Sequence, residues 1–382
     1  MSGGRRLVQA PLRGLSLLQV RHLSTVGFGE AAGDTARVYR ELERDFGVLA
    51  PPVALHAPVP ELLAASWTTL RETMLVAGRA PRTAKEAVAA AVSAGNRCPF
   101  CTTVHGTMLD SLSLRPLPGR RDGAGRPERD GGPPGPDGSR PDQGGGRPGS
   151  GTERPGADAE RPGSDAERLT AWISTGGAPP FPPELLPELA GTALCLQYLN
   201  RVVNVFLGPH PLPPNAPVRA LGPVMRVLVG LMRGSARADA APGASLSLLP
   251  PAPLPPDLAW AAADPRIADA LARSAAAVDR VGTALLPARV RAVVAEALAR
   301  WDGADPGLGR AWLDAPLAEL PPGERPVGEL ALLTALASYR VDDRVVAAAR
   351  QAGAGDREIL AACAWASERA ARRRVGQLLS DG

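Results

Sequence analysis

The chain has 382 residues, 43 basic against 39 acidic side chains, a net charge of +4 and a 45% apolar composition. That length supports two domains or one large core with insertions, and the near-balanced charge, with only 4% aromatics, lacks the basic face with interleaved aromatics that nucleic-acid binding requires. No apolar run approaches the ~18 residues of a membrane span, and the four cysteines, Cys98, Cys101, Cys195 and Cys363, are too few for a secreted disulfide framework. The expectation is a cytoplasmic protein with no nucleic-acid and no membrane partner. Lys85 is the single lysine, and the Ala, Gly, Pro and Arg excess reads as codon bias.

Residues 1–31 form an N-terminal extension without an acid before Glu30 and with Arg5, Arg6, Arg13 and Arg21. This resembles a transit peptide, but the Arg bias explains it equally well, and an untargeted chain is favoured. Helical periodicity begins near Ala32, where Val38 and Leu42 share a face. Phe46-Gly47 and Pro51-Pro52 end that helix. A second helix is predicted from Pro60 to Val76, with Leu62, Leu63, Trp67, Leu70 and Met74 as its apolar stripe. A third runs from Thr83 to Ala94 and stops at Gly95-Asn96. A fourth starts at Cys98-Pro99 and reaches Leu114, with Pro99 suited to the first turn.

Residues 115–165 are rich in Gly, Pro and Arg and nearly devoid of large apolar residues. Such a segment cannot bury enough surface to offset its ordering entropy and is predicted to be a disordered insert. Helical signals return in residues 166–382, with helices expected at 167–173, 183–207, 225–232, 264–284, 285–301, 326–338, 341–351 and 355–379. No alternating strand pattern bounded by hairpin turns occurs, so the fold class expected is all-α.

The chemistry-bearing cluster is Glu86, Cys98, Cys101 and His105. Cys98, Cys101 and His105 stand at i, i+3 and i+7, which places them on one helix face. Two antiparallel helices joined at Gly95-Asn96 would return the Glu86 carboxylate beside the dithiol. A thiolate near a helix N-terminus is stabilised by free N–H groups and the macrodipole. A second sulfur one turn away can resolve a sulfenic acid or a mixed disulfide, and His105 and Glu86 can move protons. Three other readings compete. Structural zinc needs four ligands, with no second Cys pair here and Glu86 as the fourth. The two cysteines could be inert packing residues. A thioredoxin motif needs a βαβ context that is missing.

The spacing Glu86-x11-Cys98-x2-Cys101-x3-His105 resembles the signature of the alkylhydroperoxidase D-like branch of the carboxymuconolactone decarboxylase family. The flanking segments Val38-Tyr39-Arg40, Pro51-Pro52-Val53-Ala54-Leu55-His56 and Thr107-Met108-Leu109 are similar as well, so the resemblance covers residues 34–114. It implies an all-helical fold assembling as a homo-oligomer, and peroxidase or thiol–disulfide exchange activity without metal or cofactor. It implies Cys101 as peroxidatic sulfur, Cys98 as resolving sulfur, and His105 with Glu86 as proton relay. The implied partners are a hydroperoxide or protein disulfide as substrate and a thiol reductant or dithiol protein as electron donor. Some family members carry a second histidine between the cysteines, where Phe100 stands here; dithiol exchange does not need it.

Residues 32–114 are therefore the redox half. The C-terminal half reads as a degenerate copy of it: a shift of 329 − 86 = 243 places Glu329 on Glu86, Val341 on Cys98, Arg344 on Cys101 and Ala348 on His105. Cys195 and Cys363 are expected to be buried packing residues. Tyr198, Asn200 and Arg201 are read as core or solvated residues rather than pocket lining. His22 and His210 have no evident partner, and Arg372-Arg373-Arg374 is read as a solvated helix end.

Overall fold

The computed structural model describes residues 12–113, 165–235, 240–307 and 309–380. The first eleven residues of the expected extension and nearly all of the expected insert lie outside them. The described residues contain no strand. Fourteen α-helical elements carry the fold: α1 Gly33–Glu41, α2 Pro51–Ala54, α3 Pro60–Leu70, α4 Arg82–Gly95, α5 Pro99–Ser113, α6 Asp165–Thr175, α7 Leu186–Phe206, α8 Leu221–Ser235, α9 Pro265–Leu285, α10 Ala288–Arg300, α11 Asp314–Ala318, α12 Arg325–Ala337, α13 Asp343–Gln351 and α14 Asp356–Ser380. A further short helix covers 12–17. The all-α expectation holds, and among the described residues no helix is long and apolar enough to cross a membrane.

The long helices α7 and α14 form the centre. They pack against each other, and α7 also packs on α4 while α14 packs on α12 and α9. Nearly every residue of α7 is buried, because its apolar residues fall on all faces rather than in one stripe. α3 lays Leu62, Leu63, Trp67 and Leu70 inward, with Pro60 in the first turn where a missing N–H costs nothing. α1 and α3 each end in a π-type turn, Leu42–Phe46 and Arg71–Leu75. The two turns meet at Arg71, which is fully buried and bonds Asp45 (2.8 Å) and Glu72 (2.6 Å). Gly47 follows the first π turn at φ 107°. A Cβ there would lie 2.8 Å from the carbonyl oxygen of Leu231 on α8, so only glycine admits this approach.

The α4–α5 connection positions the site. Gly95 remains inside α4, and the left-handed residue of the turn is Arg97 at φ 50°. The Cys98 amide donates to the Ser93 carbonyl at 3.0 Å, the six-to-one bond of a Schellman-type stop. Pro99 then opens α5, antiparallel to α4.

Several expectations are corrected. Arg372 is not solvated: its guanidinium reaches Asp257, with Nε–Oδ2 at 2.7 Å, and Glu368 at 3.2 Å, because α14 is a central helix whose basic stems are enclosed. His22 has a partner, with Nε2 at 3.4 Å from Asp343. Within the expected N-terminal extension, Arg13 pairs with Glu43 at 2.6 Å, and the Ser24 amide donates to Asp356 at 2.7 Å. The helix pair α12–α13 starts at an offset of 325 − 82 = 243 and 343 − 99 = 244 residues from α4–α5. Glu329 there pairs with Arg310 at 3.1 Å, not with a histidine.

Candidate active site

α4 and α5 bring all four expected residues together. Glu86 is on the buried face of α4, fully enclosed. Its Oε2 lies 2.8 Å from His105 Nδ1 on α5. Its Oε1 accepts from Arg82, one turn earlier on α4, at 2.8 Å (Nε) and 2.7 Å (Nη2). Arg82 is itself anchored by a bond to the Met74 carbonyl at 3.1 Å. Burial works against the Glu86 charge, but Arg82 and then His105 outweigh it and hold the carboxyl below its ordinary range. Glu86 is thus ionised, so Nδ1 of His105 is the donor in this contact. That leaves His105 Nε2 as the basic nitrogen, and it has no hydrogen-bond partner among the described residues.

The two sulfurs lie 2.8 Å apart and both cysteines are free thiols; a disulfide bond is about 2.0 Å. Both are buried, Cys98 at 1% and Cys101 at 4% exposure. Burial pushes the Cys101 thiol well above its ordinary value, the adjacent Cys98 adds to this, and a hydrogen bond with the Asn200 side chain opposes it. Cys101 is thus held as the thiol, and a neighbouring base would be needed to ionise it.

Asn200, expected to be a solvated neighbour of Tyr198, is instead part of this site. It comes from α7 and is fully buried. It accepts from the Asn96 amide at 3.1 Å and donates to Ser93 at 3.2 Å, so it ties the α4–α5 turn to the thiol. Its polarity at a helix position otherwise surrounded by Leu and Val was the available signal. Tyr198 is core, as expected: it is 2.8 Å from His56 Nε2, whose Nδ1 faces the Val53 carbonyl at 3.1 Å. Cys195 and Cys363 are buried away from the pair, with thiols pushed up to about 12 by burial.

Cys101 and His105 line one apolar cavity of about 60 Å³, walled by Phe46, Val53, Phe100, Leu199 and Met232 among others. Cys98 does not line it. A larger apolar groove of about 440 Å³ adjoins it, sharing Val48, Pro51, Phe100 and Leu228. Phe100 stands on the wall between them.

The geometry offers no ready metal site. Both oxygens of Glu86 are engaged, so the fourth ligand of a zinc reading is already committed. Among the described residues no group of three or more His, Cys, Asp and Glu side chains has a metal-holding arrangement.

No family model matches the sequence, and no solved structure matches it. Among curated proteins, the chain is 36% identical over 365 residues to a Mycobacterium tuberculosis protein named alkyl hydroperoxide reductase, with 93% of each chain covered. Identity at that level over nearly the whole length, on a helical fold that unites the four motif residues, identifies this chain as a member of the alkylhydroperoxidase-like family.

Proposed function

We propose that this protein is a thiol-dependent peroxidase that reduces organic hydroperoxides through the Cys98/Cys101 couple. The observation that carries the reading is the shared placement of Cys101 and His105 on one apolar cavity, with Glu86 held on the opposite nitrogen of the same ring. The relative's name, alkyl hydroperoxide reductase, points the same way.

His105 takes the Cys101 proton as a hydroperoxide enters. The Cys101 sulfur attacks the terminal peroxide oxygen, an S–O bond forms, and the O–O bond breaks. The alkoxide leaves and takes the proton back from His105, giving the alcohol. Glu86 stabilises the transient imidazolium, a role that needs its charge. The Cys98 sulfur then attacks the Cys101 sulfenic acid, an S–S bond forms, and water leaves with the Cys98 proton. A dithiol reductant, small or protein-borne, returns two electrons and two protons by exchange. Phe100 and the apolar walls favour an organic hydroperoxide over hydrogen peroxide, since an apolar cavity gains little from a small polar guest.

We further propose that the C-terminal half is a degenerate second copy, packed against the redox half as a second subunit would be. The near-constant helix offset supports this. Steady-state reduction of cumene hydroperoxide with dithiothreitol tests the main reading: turnover should be abolished in Cys101→Ser and Cys98→Ser, and full turnover in Cys101→Ser would overturn it.

A further inference from the structure

A second cavity lies across the α4–α5 turn from the dithiol. It holds about 290 Å³ and is lined in part by Asn96, Gln197, Arg201, Trp301, Asp305 and Arg374. Unlike the cavity at Cys101, it is dominated by polar and cationic groups.

Arg201 is the central feature. It is 4% exposed, on α7 next to Asn200. Its Nε donates to the Ala335 carbonyl at 3.0 Å, and Nη1 donates to the Gln197 carbonyl (2.7 Å) and side chain (2.6 Å). Every one of these partners is neutral. Its Nη2 has no hydrogen bond among the described residues, and no carboxylate pairs with it. A buried guanidinium without a counter-charge is costly and rare in a settled structure. Arg374, half-buried on α14, faces the same cavity and takes part in no ion pair or hydrogen bond among the described residues. The two cations oppose each other: burial first, and Arg374 second, bring Arg201 down to about 9.

The remaining charged groups do not relieve them. Asp305 is the one acid on the cavity wall, and it is already engaged. It accepts from the Tyr339 hydroxyl at 2.6 Å and from the Gly307 amide at 3.0 Å, and it pairs with Arg97 at 3.0 Å. Arg340, beside Tyr339, spends its guanidinium on the carbonyls of Gly309 and Gly307. With Asp305 taken up by Arg97 and Tyr339, the cavity keeps an excess of about two positive charges, from Arg201 and Arg374.

We propose that this cavity is a binding site for a phosphate monoester, its head group held between Arg201 and Arg374. A phosphate carries about two negative charges near neutral pH, which matches the two uncompensated guanidiniums. Arg holds phosphate oxygens through paired, charge-assisted hydrogen bonds. Trp301 is on the same wall, its ring centroid 5.8 Å from the Arg201 guanidinium carbon. A monocarboxylate would leave one of the two cations unpaired. The site is separate from peroxide reduction, but its floor is continuous with it, since Asn96 lines the cavity and donates to Asn200 beside Cys101.

The test is isothermal titration of the full-length protein with inorganic phosphate at fixed ionic strength, with acetate as the monocarboxylate comparison. Wild type should bind phosphate saturably at one site, and acetate more weakly. Arg374→Gln, at a half-buried position, should weaken phosphate at least about tenfold, the loss of one charge-assisted pair. Arg201→Gln should do the same, with circular dichroism confirming the fold. Absence of saturable phosphate binding, unchanged affinity in Arg374→Gln, or acetate binding as tightly as phosphate would each overturn the proposal.

Discussion

His105 Nδ1 lies 2.8 Å from Glu86 Oε2, and this contact fixes which ring nitrogen is available for chemistry. The carboxylate is oriented from behind by Arg82, so Nδ1–H is the ring's donor and Nε2 is left without a hydrogen-bond partner among the described residues. The proposed proton relay is delivered by two consecutive helices and one turn.

Replacing Glu86 with Gln keeps the side-chain shape and removes the charge. Hydroperoxide turnover should fall about a hundredfold, the lower end of a general acid–base contribution, while far-ultraviolet circular dichroism stays unchanged. Steady-state kinetics check this; a variant with wild-type kcat/KM would remove Glu86 from the relay.

Cys101 is held protonated by burial, so its reactivity toward a neutral alkylating agent should rise continuously from about pH 7 to about pH 9, without a plateau in that window. Asn200→Ala removes the one side-chain bond that favours the thiolate and should slow alkylation of Cys101 further. Iodoacetamide labelling read by peptide mass spectrometry measures both; a plateau below about pH 8 would contradict a Cys101 thiol raised by burial.

His56 is pushed down to about 4, chiefly by burial, and its hydrogen bonds to neighbouring backbone only partly offset this. The folded protein therefore holds it neutral while the unfolded chain protonates it near pH 6.5. Stability should be complete above the unfolded value and decline as pH falls toward about 4, losing on the order of 3 kcal/mol across that window. Urea titrations at stepped pH should show this slope in wild type and a shallower one in His56→Gln. Equal slopes would remove His56 as the source.

Lys85 and Glu188 form an ion pair at 2.6 Å in which both side chains are almost wholly buried. Glu188 also accepts from the Arg79 amide at 2.6 Å and the Ala80 amide at 3.2 Å, so the pair fastens the approach to α4 onto α7. Lys85→Met leaves the carboxylate buried beside an apolar chain and should cost about 3 kcal/mol. Lys85→Met with Glu188→Gln should recover part of that loss in the same denaturation assay. A single variant as stable as wild type would show that the pair does not hold the segment.

The parts of this fold that were legible in the sequence are those set by neighbours. Pro60 and Pro99 mark helix starts, Gly95-Asn96 precedes the break between α4 and α5, and the 3.6-residue periodicity separates helices to within a few residues. The four motif residues were readable for the same reason: Glu86 and His105 sit on adjacent helices joined by one turn, so their contact is nearly local. Asn200 was not readable, because its meeting with Cys101 depends on how α7 crosses α5, about a hundred residues further along the chain. Arg372 looked solvated because a run of three arginines carries no mark of being on a central helix, and its partner Asp257 is 115 residues away. The helix stop expected at Gly95-Asn96 closes with Arg97 in the left-handed position, since the Cys98–Ser93 bond sets where the turn closes.

In the proposed cycle Cys101 is the sulfur that meets the peroxide. Cys98→Ser removes the resolving thiol, so a single equivalent of cumene hydroperoxide should leave Cys101 as a sulfenic acid, trapped by dimedone and located by peptide mass spectrometry. The prediction is one dimedone adduct, on Cys101, lost in the Cys98→Ser, His105→Ala double variant. An adduct at any other cysteine, or none while hydroperoxide is still consumed, would contradict it.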